Sequence, residues 1–155
     1  MKMLGLFLST LLLLFFIDAQ CQELDERSIR GVWQIRVTEV TSGLLDNYKF
    51  LEGNKFEFQP SAYEGLNRTI SLNGVYEVKK DSLVLTIKSI TELTGGLPSR
   101  STTVGGSGWE ISDGKPKTTL FTIPIRYTLT LKVCSNKETS RCLLLDSIKF
   151  YEIKL

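Results

Sequence analysis

Residues 48–59 read Tyr48-Lys49-Phe50-Leu51-Glu52-Gly53-Asn54-Lys55-Phe56-Glu57-Phe58-Gln59. On both sides of the break at Glu52-Gly53-Asn54, large apolar side chains alternate with polar ones. Phe56 and Phe58 point opposite to Lys55 and Glu57. A strand sends successive side chains to opposite faces, so a period of two describes a ribbon with one buried and one wet face. Two such runs separated by a short Gly-Asn break predict a β-hairpin.

The same period extends outward from this hairpin. Val32 to Val40 places Trp33, Ile35 and Val37 opposite Gln34, Arg36 and Thr38. Arg68 to Leu72 and Val75 to Lys79 flank Asn73-Gly74, the pair best suited to the positive φ angles of a two-residue turn, which predicts a second hairpin there. Lys80-Asp81-Ser82 predicts the next reversal, after which Leu83, Leu85 and Ile87 share a face opposite Val84, Thr86 and Lys88. Further strands are expected over Thr118 to Ile123, Ile125 to Val133, Cys142 to Asp146 and Ile148 to Lys154, with Pro124 marking an edge or a bend. No segment has helical periodicity, apart from a short turn between Glu23 and Arg30. Roughly eight to ten short strands with short connections predict an all-β, antiparallel fold. An up-and-down eight-stranded barrel is the expected closure, and a β-sandwich is the alternative.

Between Thr94 and Pro116 the composition turns to glycine, serine and threonine, and this stretch is expected to be one long loop. Loops of that length in compact domains are uncommon and usually functional or disordered. Trp109 within it reads either as an anchor packed on the barrel rim or as a ligand-facing aromatic.

The chain begins with Met1-Lys2 and an apolar run from Leu4 to Ile17, followed by the polar segment Asp18 to Glu23. At about 14 residues the run is shorter than the roughly 20 needed to cross a bilayer, so it reads as a secretory signal over residues 1–19. Residues 20–30 form an N-terminal segment and residues 31–155 a single domain. The protein is therefore expected to be exported, to the periplasm, the outer membrane or the medium. Of the three cysteines, Cys134 and Cys142 flank a polar stretch that reads as a hairpin loop, and export favours their oxidation to a disulfide. The alternative is two buried thiols on adjacent strands. Cys21 lies beside the leader boundary, where two readings stay open: lipid attachment at Cys21, or ordinary cleavage before Gln20.

Composition removes much chemistry. The chain has no histidine, which excludes serine-histidine hydrolases, histidine-ligated zinc hydrolases and cysteine-histidine proteases. Carboxylates such as Glu57, Glu77 and Asp81 fall on strand exteriors or turns, not in facing pairs. Gly105-Gly106-Ser107-Gly108 lacks the lysine of a phosphate-binding loop, and Asp46-Asn47 and Asp113-Gly114 are turn signals, not calcium loops. Asn67-Arg68-Thr69 fits an N-glycosylation acceptor that matters only in a eukaryotic pathway. Asp81-Ser82-Leu83 and Asp146-Ser147-Ile148 fit short O-glycosylation patterns and equally fit turns. The formal charge of +2 contains no basic run that would mark a nucleic-acid partner. The chain is expected to be a monomer, not an enzyme, without metal or cofactor, and to meet a membrane only through a lipid on Cys21.

Gly31-Val32-Trp33 opening the first strand, followed by Lys55-Phe56-Glu57-Phe58, Gly74-Val75-Tyr76-Glu77-Val78 and Asp81-Ser82-Leu83-Val84-Leu85, resembles the lipocalin-like domains of small exported Bacteroidetes proteins. The resemblance covers about Gly31 to Leu155. It departs from the usual pattern in the glycine-rich insertion and in Gln59-Pro60-Ser61. It implies a barrel in which Gly31 and Trp33 are structural, Trp33 plugging the closed end. Two functions follow as expectations. The first is binding of a small hydrophobic molecule in the barrel, lined by Ile35, Val37, Phe56, Phe58, Tyr76, Val78, Leu85 and Ile87, with Trp109 as a further ligand contact. The second is a filled barrel serving as an envelope structural or interaction module.

Overall fold

The computed structural model describes residues 24–35, 45–101, 108–135 and 141–153. The leader, Cys21, Val37 and the far end of the expected first strand lie outside the described residues. Ten strands follow in chain order: β1 (Gly31–Gln34), β2 (Asn47–Leu51), β3 (Lys55–Gln59), β4 (Thr69–Lys79), β5 (Ser82–Thr94), β6 (Leu97–Arg100), β7 (Trp109–Ser112), β8 (Lys115–Ser135), β9 (Arg141–Leu145) and β10 (Ile148–Ile153). All but β6 and β7 pair in the ring β1-β10-β9-β8-β5-β4-β3-β2 and close an antiparallel up-and-down barrel. Closure is made by β1 against β10, with Val32 opposite Ile153 and Gln34 opposite Tyr151. A ring without a break is what separates a barrel from the two open-edged sheets of a sandwich. The opening hairpin forms as its alternation predicts, with Tyr48 opposite Phe58 and Phe50 opposite Phe56.

One end of the barrel is packed solid. Trp33 and Leu83 have no exposed surface, and Phe50, Phe56, Tyr76, Leu131, Leu143 and Phe150 join them in one cluster with Ile29. The segment before β1 is tied across this end. Ser28 N–H donates to Asp25 Oδ1 at 2.8 Å, closing a turn. Trp33 Nε1–H donates to Ile29 O at 2.7 Å, and Tyr76 O–H and Val78 N–H donate to the Glu26 carbonyl and carboxylate. Arg141 lies over the Trp33 ring, 5.3 Å from its centroid, and donates to Ser28 O. Gly31 has φ +136°, a backbone conformation that L side chains rarely adopt, as the chain turns into β1. Cys134 and Cys142 face each other across β8 and β9 with Cα atoms 5.1 Å apart and are joined as a disulfide. Closing so short a loop contributes about 2–3 kcal/mol through the unfolded state.

Four expectations need correction. Asn73-Gly74 is not a turn: β4 runs unbroken from Thr69 to Lys79, with a register shift at that pair. A Cβ on Gly74 would overlap the Thr86 carbonyl oxygen and stand 2.9 Å from Phe56 Cε1, so the glycine answers to close strand approach instead of positive φ. Pro124 does not divide two strands, since β8 continues through it, although it does mark the expected bend. Pairing with β5 jumps from Ile87 opposite Ile125 to Ser89 opposite Leu120, so Phe121 to Pro124 bulge out against Lys88. A proline without an N–H is tolerated where the ladder is already broken. The stretch from Thr94 to Pro116 is not one loop. β6 and β7 pair within it, Leu97 opposite Ser112 and Arg100 opposite Trp109, and Gly95 and Gly96 mark a kink at φ 69° and 71°. Gln34, expected on the wet face, is 3% exposed. Its side-chain oxygen accepts from Leu45 N–H at 3.1 Å, and a polar group with a partner can be buried.

Replacing Gly74 by alanine should destabilise the fold by about 1–3 kcal/mol through overpacking, read as a lower urea midpoint with an unchanged slope. A variant as stable as the wild type would contradict the close approach of β4 to β5.

Candidate functional site

The other half of the barrel is not filled. Directly opposed residues of antiparallel strands share a face, and the register carries one inward row around the wall: Tyr48 opposite Phe58, Phe58 opposite Leu72, and Leu72 opposite Ile90. A second row pairs Leu85 with Tyr127 and Ile87 with Ile125. These side chains, with Phe56, Phe121 and Leu129, enclose a cavity of about 320 Å³. Aromatic side chains (Tyr48, Phe56, Phe58, Phe121 and Tyr127) share this wall with leucines and isoleucines, and interior volume is left over between them.

Aromatic packing forms the floor. The Tyr48 ring is stacked 5.7 Å from Phe50, tilted against Phe58 at 4.8 Å and edge-on to Phe150 at 5.3 Å. Among the described lining side chains, the polar atoms are the hydroxyls of Tyr48 and Tyr127. Burial pushes the Tyr48 phenol up to about 12, with smaller contributions from the Asp46 and Asp146 carboxylates. It therefore stays neutral at any physiological pH. Among the described residues no carboxylate, lysine, arginine or cysteine lines the cavity. The opening lies along β8: Leu85 and Ile87 on β5 are 4% and 6% exposed, while Ile125 and Tyr127 are 41% and 54% exposed although they face the same space.

Of the lining anticipated from the sequence, Phe56, Phe58, Leu85 and Ile87 meet at this cavity. Tyr76 and Val78 belong to the packed end, where their hydroxyl and amide are held by Glu26. Ile35 packs against the core and not into the cavity, and Val37 lies outside the described residues. Trp109 opens β7, is 46% exposed and stands 5.9 Å from the Arg100 guanidinium, away from the lining. A backbone bond helps tie that hairpin down: Ile111 N–H donates to Gly65 O at 3.0 Å. Sequence reasoning missed Tyr48, Leu72, Ile90, Phe121, Ile125, Tyr127 and Leu129. Tyr48 was legible from its place in the opening hairpin. Ile90 was hidden by a register shift that resets the period after Ile87.

Among the described residues no group of three or more side chains is placed to hold a metal ion, and no helix is long and apolar enough to cross a membrane. No family model, curated protein or solved structure matches the chain.

The sign of the Tyr48 shift fixes a pH dependence. A group whose folded pKa exceeds its unfolded value contributes stability that is complete below the unfolded pKa and is lost as pH rises through the folded one. Wild-type stability should therefore fall between pH 10 and about 12, and Tyr48→Phe should reduce that fall. An identical alkaline loss in the variant, followed by urea unfolding, would show that the phenol is not buried.

Proposed function

We propose that this chain is an exported, lipocalin-like carrier that binds a small, uncharged hydrophobic molecule in the open half of its barrel. The observation that supports this most is the apolar cavity of about 320 Å³, within the range of pockets that take small molecules. A charged group entering it would lose hydration and find no opposite charge in return, so the lining selects against a buried carboxylate. The neutral Tyr48 and Tyr127 hydroxyls could orient one polar atom of a guest. Among the described residues the wall carries no carboxylate, lysine or cysteine, which supports binding as the role over turnover.

Two dyes with one ring system test the reading. N-phenyl-1-naphthylamine is neutral, and its 8-sulfonate is an anion. With roughly 17 non-hydrogen atoms at about 0.4 kcal/mol each, the neutral dye should bind with Kd of about 10 μM. Its fluorescence should rise saturably, and more tightly than that of the sulfonate. Leu72→Trp, which places bulk in the cavity, should weaken binding about tenfold while leaving the β-sheet circular dichroism intact. A flat titration, or equal affinity of the variant, would defeat the proposal.

A further inference from the structure

β8 is paired unequally on its two sides. Against β5 it is laddered from Lys115 to Thr130, but against β9 only from Leu131 to Ser135. The second ladder stops where the β9–β10 turn caps it: Thr130 N–H donates to Asp146 Oδ1 at 2.7 Å and Asp146 N–H donates to Thr130 O at 3.2 Å. Beyond that cap, Lys115 to Leu129 have no strand partner on this side among the described residues. The backbone N–H and C=O groups aimed away from β5 there form an open edge.

The far part of this edge is guarded in the ways edges usually are, by Lys115, Pro116, Lys117 and the bulge from Phe121 to Pro124. Ile125 to Leu129 carry neither proline nor bulge. Their inward side chains Ile125, Tyr127 and Leu129 line the cavity, and the exposure of Ile125 and Tyr127 places its opening beside this edge. Arg126 projects from the opposite face, next to Thr86, and Lys88 follows Thr86 by two residues on the same face of β5. Among the described residues neither cation forms an ion pair.

We propose that Ile125 to Leu129 accept an extended peptide strand from a partner protein. Its backbone completes the open edge, its alternate apolar side chains enter the cavity from the side, and an acidic residue on its outer face meets Arg126. Strand addition draws affinity from main-chain hydrogen bonds and specificity from pockets for alternate side chains, and both are present at one place here. The unpaired cations favour an acidic partner over a second copy of this chain, which would bring two Arg126 side chains to one joint. The edge carries this proposal independently of any small-molecule guest.

The probe is a capped hexapeptide in which valine alternates with threonine and one central aspartate, added to the full-length, isotope-labelled chain. In the free protein the edge-directed amides within residues 125–129 should exchange rapidly with solvent. The peptide should shift their resonances saturably and slow their exchange at least tenfold. Arg126→Glu should weaken the aspartate peptide about fivefold and favour the same peptide with lysine in place of aspartate. Edge amides already protected in the free chain, an equal response to a peptide of the same composition with its alternation broken, or protection that grows only with protein concentration would each overturn the proposal. Dye binding that survives in any of these cases keeps the carrier reading separate.

Discussion

Trp33 fills one end of the barrel with no surface left to solvent, and its indole N–H bond to Ile29 O fastens the preceding segment across that end. The arrangement depends on this contact in two ways. It brings β1 to the position where Val32 and Ile153 pair and close the ring. It also anchors the packed end, where Phe50, Tyr76 and Phe150 gather in the same cluster. A buried aromatic of this kind typically contributes about 3–5 kcal/mol relative to alanine, a large share of the stability of a small domain. With that end occupied, the remaining interior is walled partly by smaller side chains and stays open.

How much of this was legible in the sequence varies with how local the determinant is. The hairpin around Glu52 to Asn54 and the face shared by Leu83, Leu85 and Ile87 follow from alternation, a property of single strands. The long pairing of β4, β5 and β8 was harder to see because its irregularities answer to neighbouring strands. Asn73-Gly74 carries the composition of a turn, yet the requirement at Gly74 is room for Thr86 and Phe56 on adjacent strands. Pro124 carries the composition of a break, yet Lys88 across the ladder is what the bulge accommodates. No local window contains either constraint.

The candidate site was half legible for the same reason. Phe56, Phe58, Leu85 and Ile87 sit in runs whose alternation holds up to and through them, the shift on β5 coming only after Ile87. Ile90 lies beyond a register shift, where counting by two from Ile87 gives the wrong face. Tyr76 and Val78 were assigned the correct face but the wrong depth. Depth along a barrel depends on what closes its ends, and here that is the turn around Glu26.

The interior is divided into a solid end beside Trp33 and an open one lined by Phe58, Leu85 and Ile125. A crystal held under xenon pressure tests this most directly, because xenon enters apolar space that no side chain fills. The account predicts xenon between Phe58, Leu85 and Ile125 and none beside Trp33. An interior without xenon, or xenon lodged against the Trp33 ring, would contradict it.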